Sequence, residues 1–175
     1  LQDAGYDVTG VTMALGIHRT TEDAGRFTDE SIADAESVCR QLGISHLTFS
    51  YADCMEERVI KKFLAEYQAG RTPNPCVDCN RYLKFGALMR KTRELGFDYL
   101  ATGHYAQIEK RRDGWSLMRP RDKAKDQTYF LYPIRTEDLP FILFPLGALT
   151  KEEVRQKAKD AGLHTAHRAE SQDIC

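Results

Sequence analysis

Thr72-Pro-Asn-Pro-Cys-Val-Asp-Cys-Asn-Arg-Tyr-Leu-Lys-Phe85 places two cysteines three residues apart, directly behind two prolines. Proline fixes φ and lacks an N–H, so Pro73 to Cys76 is predicted as a stiff, extended loop. Beyond it Leu83, Ala87, Leu88, Thr92 and Leu95 recur on one helical face, and Gly96 ends the run. Cys76 and Cys79 are therefore expected where a rigid loop meets a helix N-terminus. Unpaired N–H groups and the helix dipole favour thiolate over thiol there. Asn80, Arg81 and Lys84 add polar and positive groups nearby. The pattern suits sulfur chemistry or metal binding. A C-x-x-C pair can also be inert, or half of a zinc site, but structural zinc wants four N/S ligands and the chain has no second C-x-x-C or H-x-x-x-H. A thioredoxin-like pair would follow a strand directly, without the preceding Pro-Asn-Pro.

Working outward, Asp7 to Met13 is β-rich and apolar on both faces, as a strand buried in a parallel sheet is. Residues 14–30 are polar and loop-like. Ile32, Ala35, Val38, Cys39 and Leu42 then form a helical stripe ended by Gly43, with Cys39 expected in the core. His46 to Ser50 is predicted as a strand. Met55, Val59, Ile60, Phe63, Leu64 and Tyr67 form a second amphipathic helix stopped near Gly70. Cys54 opens that helix, and packing is the expected role for it, since no catalytic partner is near in sequence. Phe97 to Thr102 is predicted as a third strand. Strand–helix–strand alternation at this spacing predicts an α/β fold with a parallel sheet. Ligands in such sheets bind at the carboxyl ends of the strands, here Met13 and Gly103-His104. Tyr105–Glu109 and Trp115–Met118 flank Arg-Arg-Asp-Gly114 as a hairpin. Thr150-x-x-Glu153 is a capping box for a helix ending at Gly162. Ala169 to Cys175 is polar and predicted as loop.

One domain is expected for 175 residues. No apolar run approaches a membrane span and no signal peptide is visible. Five cysteines, an odd number without secretory features, point to a reducing cytosol. Residues 1–70 carry six Lys/Arg against twelve Asp/Glu, and residues 71–175 nineteen against fourteen. Lys110–Lys125 alone has seven basic residues and two acidic. A polyanion can dock on that half, or the run is simply a solvated hairpin. Leu1-Gln-Asp-Ala-Gly5 reads as the last turn of a helix with a glycine cap, so the chain is expected to be an internal piece of a longer one.

The stretch Gly70–Gly86 resembles the signature of the tRNA-uridine 2-sulfurtransferases, the tRNA-specific 2-thiouridylases. So do Ala101-Thr-Gly-His-Tyr-Ala106, Lys125-Asp-Gln-Thr-Tyr-Phe-Leu131, Phe144-Pro-Leu-Gly147 and Glu170-Ser-Gln-Asp-Ile-Cys175, in family order across nearly the whole chain. The resemblance implies a Rossmann-like parallel sheet of the ATP pyrophosphatase type, incomplete at the N-terminus. It implies a partial catalytic domain over 1–133 with a basic hairpin at 105–119. Residues 134–175 would then continue the catalytic region towards a missing central domain. It implies that ATP, with Mg, adenylates the C2 oxygen of the wobble uridine of tRNA, and that a persulfide sulfur then displaces AMP.

Carried over position by position, Cys175 bears the persulfide and Cys79 is its partner thiol. Asn74, Pro75 and Cys76 line the target base, Met13 and Gly103 touch ATP, and His104, Lys125, Asp126 and Gln127 contact tRNA. A persulfide-donating relay protein or cysteine desulfurase is the implied sulfur source. Two departures bear on this. The glycine-serine-rich pyrophosphate loop expected ahead of Leu1 is absent, so the piece by itself is not expected to adenylate. Many relatives have Asp where this chain has Cys76. Cys76, Cys79 and Cys175 together could instead hold a 4Fe–4S cluster, an alternative sulfur carrier. Two further alternatives are an amidating ATP pyrophosphatase and a metal- or RNA-binding module without enzymatic activity.

Overall fold

A computed structural model describes residues 1–16 and 26–167. The expected terminal loop and Cys175 lie outside the described residues. Strand β1 (Thr9–Ala14) runs parallel to β2 (Ser45–Ser50), in register from Thr9 opposite Ser45 to Ala14 opposite Ser50. The helix Arg26–Gln41 connects them and packs on both. Its Cys39 is buried, as its place on the apolar stripe predicts. A Cβ on Gly10 would lie 2.3 Å from the Cys39 sulfur, so the helix closes on the strand only because position 10 has no side chain.

The second helix spans 52–68, with Glu56–Ile60 wound as a π-helix. Met55 and Val59 are its buried contacts, and Cys54 packs beside them. The predicted third strand shrinks to β3, Leu100–Ala101. Strands exist only where a partner accepts their hydrogen bonds. Here the partner is β6, Ile142–Leu143, running parallel, and Thr102 N–H extends the ladder to the Leu143 carbonyl at 3.1 Å. Phe97, Asp98 and Tyr99 instead line a cleft of about 790 Å³ between the open edges of β1 and β3. The parallel sheet is thus present as two pairs on either side of that cleft. β6 had a signal in the apolar run Phe141–Phe144 between Pro140 and Pro145, too short to separate from a buried turn.

β4 (Gln107–Arg111) and β5 (Gly114–Met118) form an antiparallel hairpin, with Arg112 and Asp113 as the turn. It starts two residues later than predicted because Tyr105 and Ala106 are drawn into the core. The Thr150 capping box is formed on both sides and opens the helix Lys151–Asp160. The Gln41 amide donates to the carbonyls of Ala161 and Gly162 at 3.1 and 3.0 Å, tying the end of that helix to the first one. The interior holds two apolar clusters. One centres on Phe85, Leu88, Leu100, Phe130, Leu131 and Ile142, the other on Met55, Val59, Cys79 and Leu83. Met13, at the carboxyl end of β1, packs against both.

Candidate functional site

The two prolines act differently from their expected joint role as an extended loop. Asn74 is extended and its side chain accepts from the Cys76 N–H at 3.1 Å, while Pro75 takes the first helical position. Proline suits that position because its missing N–H would be unpaired there anyway. The helix therefore runs over 75–94 and contains both cysteines, correcting the placement of Cys76 in a loop. Cys76 is the second helical residue and half-buried; Cys79 is buried.

From Cys79 to Leu88 this helix is π-wound. Hydrogen bonds to i+5 widen the turn, so residues four apart lie nearly above one another. Cys76, Asn80 and Lys84 share one such line. Leu83 falls in one apolar cluster and Phe85 in the other, which puts that line along the seam between them, the seam Met13 also fills. A Cβ on Gly86 would meet the Arg81 carbonyl oxygen at 2.7 Å, so the wide turn requires glycine there. Such π-turns recur at functional sites. The nearby Asp78 is buried but turned away, its carboxylate accepting from Lys62 Nζ at 2.8 Å.

His104 follows β3. It is 7% exposed and closed in by the rings of Phe85, Phe130 and Phe144. Thr102 Oγ1 lies 2.8 Å from its Nδ1. Burial, with a smaller push from the Lys84 ammonium, lowers its pKa to about 3. The ring is neutral at pH 7 and offers no cation to a phosphate. Gly103 has only ordinary contact on its open side, with Leu146 Cδ1 3.7 Å from a built Cβ.

Lys125-Asp-Gln127 is brought beside His104. The Tyr105 N–H donates to Gln127 Oε1 at 2.8 Å, and the Gln127 N–H donates to the Tyr105 carbonyl at 3.2 Å. Asp126 accepts from the Thr128 N–H and Oγ1 at 2.9 and 2.6 Å and pairs with Arg119 at 3.2 Å. The Thr128 bonds and Arg119 hold its carboxyl below the usual carboxylate range, outweighing burial, which on its own would raise it. Two of these three side chains therefore build the segment.

Met13, Cys76, Cys79, Gly103 and His104 thus gather around the carboxyl ends of β1 and β3, with Lys125–Gln127 behind His104. Asn74 and Pro75 lie at the entrance to the helix. Among the described residues no group of three His, Cys, Asp or Glu is placed to hold a metal ion, and no helix is long and apolar enough to cross a membrane.

All 175 residues match a family described as tRNA methyl transferase HUP domain. The chain belongs to that family. HUP-domain proteins of this kind include relatives named tRNA-specific 2-thiouridylase. One from Syntrophus aciditrophicus is 53% identical over the whole of this chain and 47% of its own length. Others from Acidithiobacillus ferrooxidans and Thermus thermophilus are 46% and 45% identical, again over the whole chain and 48% and 49% of their own lengths. The chain spans about half the length of the curated relatives it matches. Its fold is that of the HUP, ATP pyrophosphatase-like class, α/β with parallel strands. Asn80, Lys84 and Thr102 are site residues whose roles the sequence left open. Lys84 carried a signal as a positive group near the thiols; the π-winding around it does not show in the apolar spacing.

Proposed function

We propose that the full-length protein thiolates the wobble uridine of tRNA to 2-thiouridine, using ATP and a cysteine-bound persulfide. The observation that carries this reading is the Cys76–Cys79 pair, held on a π-wound helix at the strand ends where such folds bind nucleotides. The relatives' names point the same way. The family's description mentions methyl transfer, but the named relatives that match over the whole chain are all 2-thiouridylases, which favours thiolation.

Uridine O2 is a poor leaving group and must first be activated. It attacks the α-phosphorus of ATP, the bond to the β-phosphate oxygen breaks, and pyrophosphate leaves with the electron pair. The N3 proton is lost as O2 is substituted. The terminal sulfur of a Cys175 persulfide then attacks C2, and AMP leaves with the C2–O pair. Cys79 thiolate attacks the Cys175 sulfur, forming a disulfide and expelling the 2-thiouridine sulfur, while N3 regains a proton. An external thiol reduces the disulfide, and a persulfide-donating relay protein or a cysteine desulfurase reloads Cys175. The uridine must leave the anticodon stack to be reached, and Asn74, Pro75 and Cys76 are its proposed wall. Met13 and Gly103 flank the proposed nucleotide site, with Mg on its phosphates. Lys125–Gln127 and the basic hairpin 105–119 take the RNA backbone.

The test is the full-length protein with ATP, a persulfide donor and unmodified tRNA. 2-Thiouridine, AMP and pyrophosphate are expected in equal amounts, and Cys79→Ser and Cys175→Ser should each abolish thiolation. No 2-thiouridine from the wild type, with AMP and pyrophosphate release that both serine variants retain, would support the amidating alternative. Cys76, one turn ahead of Cys79, is the observation behind the cluster alternative. A brown, anaerobically purified protein whose colour needs Cys76, Cys79 and Cys175 would replace the persulfide with iron–sulfur chemistry.

A further inference from the structure

Lys84 is half-buried on the 75–94 helix. Its neighbours in sequence, Leu83 and Phe85, are 0% and 6% exposed and belong to the two different apolar clusters. Its side chain therefore leaves the helix between the two clusters, and its ammonium comes near enough to His104 to act on that ring. Among the described residues no carboxylate pairs with its ammonium and no acceptor hydrogen-bonds it, whereas Lys61, Lys62 and Lys91 on outward faces all have carboxylate partners. His104, the titratable group it acts on, is neutral. An inward cation between apolar walls, without a counter-ion, is costly unless something else neutralises it. One helical turn back, Asn80 is 1% exposed and its Oδ1 has no hydrogen-bond partner. A well-packed chain leaves few such atoms unpaired without a functional reason. The seam thus holds an unneutralised cation and an unpaired amide oxygen, next to Met13 at the end of β1.

We propose that Lys84 is a phosphate-binding residue, taking the α-phosphate of the adenine nucleotide at the mouth of the seam between Met13 and Gly103. The class of ligand follows from the group: a compact ammonium on a flexible stem binds phosphate as a point charge. The nucleotide is favoured over the RNA backbone because the seam opens at the strand ends. This rests on the proposed function for the identity of the nucleotide. In that reaction the α-phosphate becomes that of departing AMP, and a cation held there assists both the entry of O2 and the departure of AMP.

The experiment measures binding of AMP, adenosine and tRNA to the full-length protein by calorimetry and filter retention, for the wild type, Lys84→Met and Lys84→Arg. Methionine keeps the length and apolar stem and removes the charge. AMP affinity should fall at least tenfold in Lys84→Met and be partly restored in Lys84→Arg. Adenosine and tRNA should bind each variant as they bind the wild type, which also shows that the site is folded. Equal loss of adenosine and AMP would make Lys84 structural and overturn the proposal. Unchanged AMP affinity with weakened tRNA binding would assign the lysine to an RNA phosphate and overturn it as well. Thiolation by the wild type is scored separately. If it fails while AMP binding still depends on Lys84, the proposed function falls and the phosphate site stands.

Discussion

At the scale of the residue, His104 shows how context overrides identity. A histidine after a strand end reads as a polar contact for a ligand. Three aromatic rings and Thr102 instead make it a buried, neutral hinge-pin of the core. Its pKa, about 3 in the folded state, lies below the ordinary histidine value near 6.5. Between those two values the unfolded chain binds a proton that the folded chain does not. Stability is therefore fully present above about pH 6.5 and falls as pH drops, at no more than about 1.4 kcal/mol per pH unit from this one group. His104→Gln should remove that component. Urea unfolding at pH 7.5 and 5.0 should show a smaller difference for the variant than for the wild type; equal differences would mean that the ring is protonated in the folded state. The cysteines were more legible. Cys39 lies on an apolar stripe visible in spacing alone and is buried, and Cys54, which opens the second helix, packs beside Met55 and Val59. The neutrality of His104 was not, since the residues enclosing it come from positions 85, 130 and 144.

At the scale of the element, the 75–94 helix was foreseen in its second half and misjudged at its start. A proline bars the helix interior but favours the first turn, and spacing alone cannot say which applies to Pro75. Asn74 settles it by capping the Cys76 N–H. Asn74→Ala should cost about 1 kcal/mol in unfolding free energy, while Asn74→Asp should be nearly neutral, as cap residues behave. A larger loss of thiolation than of stability in Asn74→Ala would point to a contact with the base as well. The π-winding lay beyond sequence reading, because apolar periodicity is judged against the α repeat. Gly86 is its one visible trace. Alanine is worth about 1 kcal/mol more than glycine in an ordinary helix interior, but its Cβ would stand 2.7 Å from the Arg81 carbonyl oxygen, a backbone atom that cannot swing away. Overpacking of this kind typically costs about 1–3 kcal/mol, so Gly86→Ala should be net destabilising or should unwind the π-turn and shift Cys79 relative to Lys84. Lower thiolation with altered reactivity of Cys79 towards a thiol reagent is the expected readout. A stabilised, fully active variant would show that the wide turn is dispensable.

At the scale of the whole molecule, the strand–helix alternation and the parallel pairing were legible because each strand is a short apolar run bounded by turn residues. One buried polar fastening of residues 134–167 to the rest was not, because it runs through a carboxylate whose partners come from positions 93 and 135. Asp138 is 1% exposed and receives Arg93 Nη2 at 2.9 Å from the central helix and Arg135 Nε at 2.8 Å from its own segment. The two arginines keep much of their surface in water, at 43% and 64% exposure, so only the carboxylate has been desolvated. The two ways of breaking this junction should therefore differ. Asp138→Ala removes the buried charge and returns both guanidinium groups to solvent, and about 1–3 kcal/mol of unfolding free energy should be lost. Arg93→Met with Arg135→Met leaves the carboxylate buried and uncompensated, and about 3–5 kcal/mol should be lost. Combining all three substitutions should recover part of that loss, since the stranded charge is then gone. Urea midpoints for the three proteins decide it. A double arginine variant no weaker than Asp138→Ala would mean that the carboxylate reaches water and that the backbone ladder and apolar contacts of β6 hold it to β3 without this junction.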